Sequence, residues 1–247
     1  MISKAKVKFI KSLQLKKYRK EAQCFTVEGA KGVQELLNSD FEAVWMAGTA
    51  DFLTKIEPLL RGRQIEVVET SEKELSGTGI FQSNNSAIAI AKLRANHPPV
   101  LMNEFVLLLD DIRDPGNLGT IIRTADWYGI KNIIASPETA DFYNPKVINS
   151  TMGSFCRVTI YYTLLTDFLV GTNWPLFGAS LTGKSIYETD FGSEGFVVIG
   201  NESQGISAAI NRLITHHITI PRIGHAESLN ASIATGIILD NVFRSKK

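Results

Sequence analysis

Cysteine is scarce: only Cys24 and Cys156 occur in 247 residues, far apart and without CxxC spacing. They suggest neither a disulfide framework nor a zinc site, and a reducing, cytoplasmic compartment is expected. No apolar run approaches the ~18 residues of a membrane span, and the basic N-terminus lacks the continuous apolar stretch of a secretion signal. Neither GxGxxG nor GxxxxGKS/T is present, which argues against a dinucleotide fold and against a phosphate-loop NTPase. Asp110, Asp111 and Asp114 form an acidic run, but without a histidine or glutamate at matching spacing no metal is expected.

Charge is nearly balanced, at a formal net +1, but unevenly placed. Lys4, Lys6, Lys8, Lys11, Lys16, Lys17, Arg19 and Lys20 fall within the first 20 residues with no acid among them, which leaves the rest of the chain acidic on balance. A basic arm on an acidic body attracts polyanions locally, so nucleic-acid contact and a merely solvated helix both fit this segment.

The hydrophobic content of 44% is that of a globular protein with a real core. Adjacent Pro98 and Pro99 can continue neither a helix nor a central strand, and they mark 96–104 as a linker. Before it, residues 1–95 combine helical stretches with the short apolar runs CFTVEG, AVWMAG, IEVVET and SAIAIAKL, a small α/β domain. After it, residues 105–247 carry strand-like FVLLLD, NIIAS, PLFGASL, FVVIG and HITIP, most separated by room for a helix. Near-continuous apolar strands alternating with helices indicate a parallel sheet covered on both faces.

Ligands in such sheets bind at the carboxyl ends of the strands. Three loops there gather Gly, Asn, Ser and Glu: DDIRDPGNLG, GNESQGIS and PRIGHAESLNAS. After the first loop, Leu118, Ile121, Ile122, Ala125 and Tyr128 follow helical spacing, with Gly119, Arg123 and Asp126 on the other side. Arg123 is then either an exposed partner of Asp126 or a group presented to a ligand, and Asn117 either caps the helix or reaches that ligand. In the second loop Gly200 and Gly205 permit tight turns, while Asn201 and Glu202 place an amide and a carboxylate at the strand end. In the third, Ser228 or Asn230 can cap the helix that follows.

Together, DDIRDPGNLGTIIRTADWYG, VVIGNESQGIS and IPRIGHAESLNASIATGIILD resemble, in order, the three motifs of the SpoU (TrmH-like) RNA methyltransferases of the SPOUT superfamily. The resemblance runs from about Val106 to the C-terminus, and residues 1–95 resemble the small RNA substrate-binding domain that many members carry. It implies a C-terminal parallel-sheet domain tied in a deep trefoil knot, an S-adenosylmethionine cofactor, and 2′-O-methylation of RNA, ribosomal RNA first and transfer RNA as the alternative. A non-catalytic RNA binder that kept the fold is the competing reading.

By the same resemblance Gly200, Asn201, Ile220 and Leu229 are cofactor-binding positions, and Arg123, Asn117, Glu202, Ser228 and Asn230 are catalytic or substrate-side. Members are usually homodimers in which the arginine of one subunit serves the cofactor pocket of the other. Ala231 stands where the family often has Val, and Asn241 lies near a frequent Glu; neither position touches a proposed catalytic group.

Overall fold

A computed structural model describes residues 1–244 and divides them into two compact units. The first comprises Met1–Ala95 together with Asp141–Cys156, and the second comprises Asn96–Ala140 and Arg157 onward. The segment Asp141–Cys156 therefore groups with the first unit rather than with the remainder of 105–247. Aromatic packing explains why: the Phe25 ring lies 4.8 Å from that of Tyr143 and 6.1 Å from that of Phe155, which also meets Phe41 at 5.8 Å.

The first unit opens with α1 (Lys4–Ser12) and α2 (Lys16–Ala22), followed by β1 (Cys24–Glu28), α3 (Ala30–Leu37), β2 (Ala43–Gly48), α4 (Ala50–Leu60), β3 (Glu66–Glu69), α5 (Glu72–Thr78) and β4 (Ala87–Lys92). Its sheet runs β1-β4-β2-β3, antiparallel except for the β2/β3 pair. Arg19 departs from the exposed basic arm expected around it. It is 2% exposed and its Nη1 donates to the carbonyls of Leu13 and Gln14, each at 2.8 Å, beyond the C-terminus of α1.

Glu28 ends β1 with a buried carboxylate that accepts from the backbone N–H of Ile80 (3.0 Å) and Phe81 (3.3 Å). Gly79 makes room for it, because a Cβ there would lie 2.1 Å from a Glu28 carboxylate oxygen. Burial pushes the Glu28 pKa above the usual carboxylate range, against the opposing pull of those two donors. A raised folded-state pKa means that stability is greatest while the group is protonated and falls as pH rises through the folded value. As pH rises above the ordinary glutamate value of about 4.3, wild type should therefore lose melting temperature relative to Glu28→Gln; parallel curves would refute this account.

The second unit begins with β5 (Phe105–Asp110), α6 (Pro115–Trp127) and β6 (Asn132–Ala135). The chain then passes through α7 (Pro145–Ser150), in the first unit, before β7 (Thr159–Tyr162), α8 (Leu165–Phe168), β8 (Leu176–Ser185), β9 (Gly195–Gly200), α9 (Ala208–Asn211), β10 (His216–Thr219) and α10 (Ala231–Arg244). Six parallel strands run in the order β10-β8-β9-β5-β6-β7. Five of them are the apolar runs expected from sequence. The sixth, β7, has only partly buried or exposed residues at the sheet edge, which explains its weak apolar signal.

All six residues of β5 are buried, as are the first five of β9, so the centre of the sheet is rigid where its loops emerge. Against this unit α6 and α10 pack together: Gly236 lets them approach, with Thr124 3.9 Å from where its Cβ would stand. The Tyr128 and Phe243 rings stack at 5.6 Å and the Tyr128 hydroxyl donates to Asp240.

Candidate active site

From β5 the chain moves outward on one side of the sheet, through β6 and β7, then returns on the other side through β8 and β9. The direction reverses between neighbours β5 and β9, and a crevice opens outside the carboxyl ends of strands at such a point. The loops that meet there are those singled out by composition.

Asp114 caps α6, its Oδ1 accepting from the Asn117 N–H (2.8 Å), and Pro115 follows at the first helical position. The helix thus begins three residues earlier than its apolar spacing implies, and Asn117 is released from capping. Its Nδ2 donates to Glu202 Oε1 (2.5 Å) and its Oδ1 accepts from Asn230 Nδ2 (2.9 Å). This chain of hydrogen bonds joins all three loops across 85 and 113 residues of sequence.

Asn230 also caps α10, with its Oδ1 accepting from the N–H of Ser232 (2.9 Å) and Ile233 (3.4 Å). The same side chain thus caps the helix through its oxygen and joins the loop network through its nitrogen. Ser228 and Leu229 lie in the exposed loop just before it, and Ile220 follows β10 half-buried.

The second loop is fastened to the end of β5. Asn201 Nδ2 donates to the Asp111 carbonyl (2.8 Å), its Oδ1 accepts from the N–H of Ser203 (2.9 Å) and Gln204 (3.1 Å), and its backbone exchanges two bonds with Gly205. Gly200 must be glycine, because a Cβ would fall 2.3 Å from both the Gly205 carbonyl carbon and the Ile206 nitrogen. Asp110, 6% exposed, accepts from the Ser207 N–H (2.7 Å) and holds the far end of the loop. Sequence reasoning set this aspartate aside as part of a weak acidic cluster; its place at the end of a fully apolar strand was the available signal. The three acids have distinct partners, since Asp111 pairs with Arg113 (2.7 Å) and Asp114 is the cap.

Arg123 does not join this network. Asp126 is engaged instead by Arg157 at 2.9 Å, which rules out the local Arg123–Asp126 pair. Among the described residues Arg123 has no hydrogen bond or ion pair and stands exposed, one turn before Trp127, which is 83% exposed. Six residues beyond Asn117, it is displaced by about 9 Å along the helix. Gly119, expected beside it, is buried.

The strand between β9 and β10 is β8, so its carboxyl-terminal residues also belong to this end of the sheet. The register of β8 against β10 jumps from Gly178 to Lys184, leaving 179–183 outside the pairing. This irregular stretch inside β8 has little apolar or motif signal. A cavity of about 250 Å³ lined by Leu169, Trp174, Leu176 and Leu213 lies by contrast at the amino-terminal end of β8, remote from these groups.

Residues 104–240 match the model of the SpoU rRNA Methylase family, and residues 4–79 match the MRM3-like substrate binding domain. The 23S rRNA (guanosine(2553)-2′-O)-methyltransferase RlmP of Bacillus subtilis (strain 168) is 30% identical over 241 residues, covering 95% of this chain and 94% of that protein. Among solved structures, a TrmH-family protein from Porphyromonas gingivalis superposes with a TM-score of 0.89 at 35% identity over 99% of each chain. An AdoMet-bound rRNA methyltransferase from Sinorhizobium meliloti does so with a TM-score of 0.88 at 29% identity, over 99% of this chain and 96% of that one. With three hydrogen-bonded loops at the switch point of a parallel sheet, a matching family model over more than half its length and relatives aligned end to end, this chain belongs to the SpoU rRNA Methylase family.

Proposed function

We propose that the protein transfers the methyl group of S-adenosylmethionine to a ribose 2′-hydroxyl of ribosomal RNA. The observation that carries this reading is the Glu202–Asn117–Asn230 chain of hydrogen bonds, which sets a carboxylate and two amides at the mouth of the switch-point crevice. The relatives' names supply the substrate class, and the chain's own residues fit the cofactor. Ile220 and Leu229 lie outside helix and strand, and their peptide groups have no backbone partner among the described residues, which leaves them available to a nucleoside. Gly200 and Asn201 shape the loop beside them. Bound there, the sulfonium supplies an electrophilic methyl carbon with a neutral thioether as leaving group.

The transfer breaks the S–CH3 bond and forms the O–CH3 bond, while the hydroxyl proton passes to water, a phosphate oxygen or Glu202. The protein contributes alignment, worth as much as ~7 to 11 kcal/mol when both reactants are pinned. Asn117 and Asn230 orient the loops and the ribose, and Ser228 offers a free hydroxyl to the substrate side. Arg123 acts as a cation, since a guanidinium with pKa above ~12 is a poor base. It grips a phosphate and stabilises negative charge developing on the 2′-oxygen.

Arg123 stands apart from the loops of its own chain, and this supports a homodimer in which it serves the partner's site. The exposed Trp127 on α6 and Ile233 on α10, the latter 53% exposed, give these packed helices an apolar outer surface for a second copy. We extend the reading to a trefoil knot in the C-terminal part of the sheet and to a cytoplasmic setting, both of which rest on the family resemblance. Incubation of the purified protein with labelled S-adenosylmethionine and rRNA or tRNA from a strain lacking it tests the activity. Label at an alkali-resistant linkage in rRNA is expected, and label confined to tRNA or absent from both would overturn the substrate assignment.

A further inference from the structure

The segment Asp141–Cys156 falls within the family's methylase region in sequence but packs with the first unit. Arg19 holds its start: Nη2 donates to Asp141 Oδ2 at 2.5 Å, from a side chain that is 3% exposed. The Tyr143 hydroxyl accepts from the Arg94 N–H (2.9 Å), and the Phe155 ring closes the other end against Phe25 and Phe41. A segment anchored at both ends by buried groups has few conformations left to its middle.

That middle presents a polar face. Lys146, Asn149 and Met152 are exposed at three-residue spacing along α7 and the turn after it, so they share one side. Met152 keeps a left-handed backbone (φ 52°) while its side chain is 42% exposed, an arrangement costly for a non-glycine residue. Beneath it Thr151 is fully buried and donates to the Ile148 carbonyl (2.7 Å), so the turn is set from below. Among the described residues Lys146 has no ion pair.

The Arg19–Asp141 pair also ties this face to α2, where Lys16, Lys17 and Lys20 are exposed. Asp141 precedes Lys146 by five residues, a reach of at most about 18 Å, so Lys146 sits on a short segment tethered to the helix that carries Lys16, Lys17 and Lys20. An uncompensated lysine, an amide and a polarisable thioether on one face match a phosphate, a base edge and a base plane.

We infer that Lys146, Asn149 and Met152 form an RNA-contacting surface, held beside the lysines of α2 by the buried Arg19–Asp141 pair. The inference rests on the reading that RNA is the substrate and adds the part of the chain that grips it. Filter binding of the full-length protein to deproteinised large-subunit rRNA at several salt concentrations tests it without requiring turnover. Lys146→Glu should weaken binding about fivefold to tenfold and reduce the salt slope by about one. Lys146→Arg should bind like wild type, and all variants should melt alike. Lys131→Glu, at an exposed site just before β6 at the amino-terminal end of the second sheet, should bind like wild type. Unchanged affinity and slope in Lys146→Glu, or an equal loss in Lys131→Glu, would overturn the surface. If Lys146→Glu shows the loss while wild type transfers no methyl group to any RNA, the surface stands and the catalytic reading falls.

Discussion

Replacing Arg123 with alanine is expected to lower methyl-transfer turnover by about 10³-fold while leaving S-adenosylmethionine affinity within a few-fold of wild type. The magnitude is that of removing one charged donor from a developing oxyanion, and the selectivity follows from the surroundings of Arg123. It is exposed and has no intramolecular partner among the described residues, so its loss strands no buried group and the melting temperature should not move. Arg123→Lys should recover only a small part, because an ammonium cannot reproduce a bidentate grip. If the arginine serves the partner's site, mixing inactive Arg123→Ala and Glu202→Gln subunits should restore activity in the mixed dimers. Wild-type turnover in Arg123→Ala would sink the assignment, and failure of the mixture would place Arg123 in its own subunit's site.

The second large effect is expected at Gly200. The atoms within 2.5 Å of an added Cβ are all backbone, the Gly205 carbonyl group and the Ile206 nitrogen, so no side-chain rotation relieves the clash. Gly200→Ala should displace the whole Asn201–Gly205 turn and with it the Glu202–Asn117 hydrogen bond. We expect S-adenosylmethionine affinity to fall by more than about 100-fold, with a stability loss on the order of 1–3 kcal/mol from overpacking. Gly205→Ala is the informative comparison: φ is +70° but nothing lies within 4 Å of its Cβ. Backbone strain of about 1–2 kcal/mol is then its only penalty, and cofactor binding should survive. Calorimetry on the two variants separates these outcomes, and equal behaviour would show that the turn tolerates displacement.

The central strands were legible because β5 and β9 are short, apolar runs, and no side chain along them gives a competing signal. The edge strand β7 was not, since its residues are half in solvent. Capping chemistry was legible at Asn230, but at α6 Asp114 took the role and released Asn117. Arg19 counted as part of a basic arm until its burial against Leu13, Gln14 and Asp141 became visible.

The sequence by itself determined five of the six strands of the second sheet, the three loops that carry polar side chains and the family, because strand runs, helical spacing and loop chemistry are local properties of the chain. Only the tertiary structure decided that Asn117 bridges Glu202 and Asn230, that Asp126 belongs to Arg157 rather than to Arg123, and that Asp141–Cys156 packs with the first unit. Each of those outcomes depends on which groups meet across tens to more than a hundred residues, and that is settled by strand order and by the burial of polar groups that must find partners.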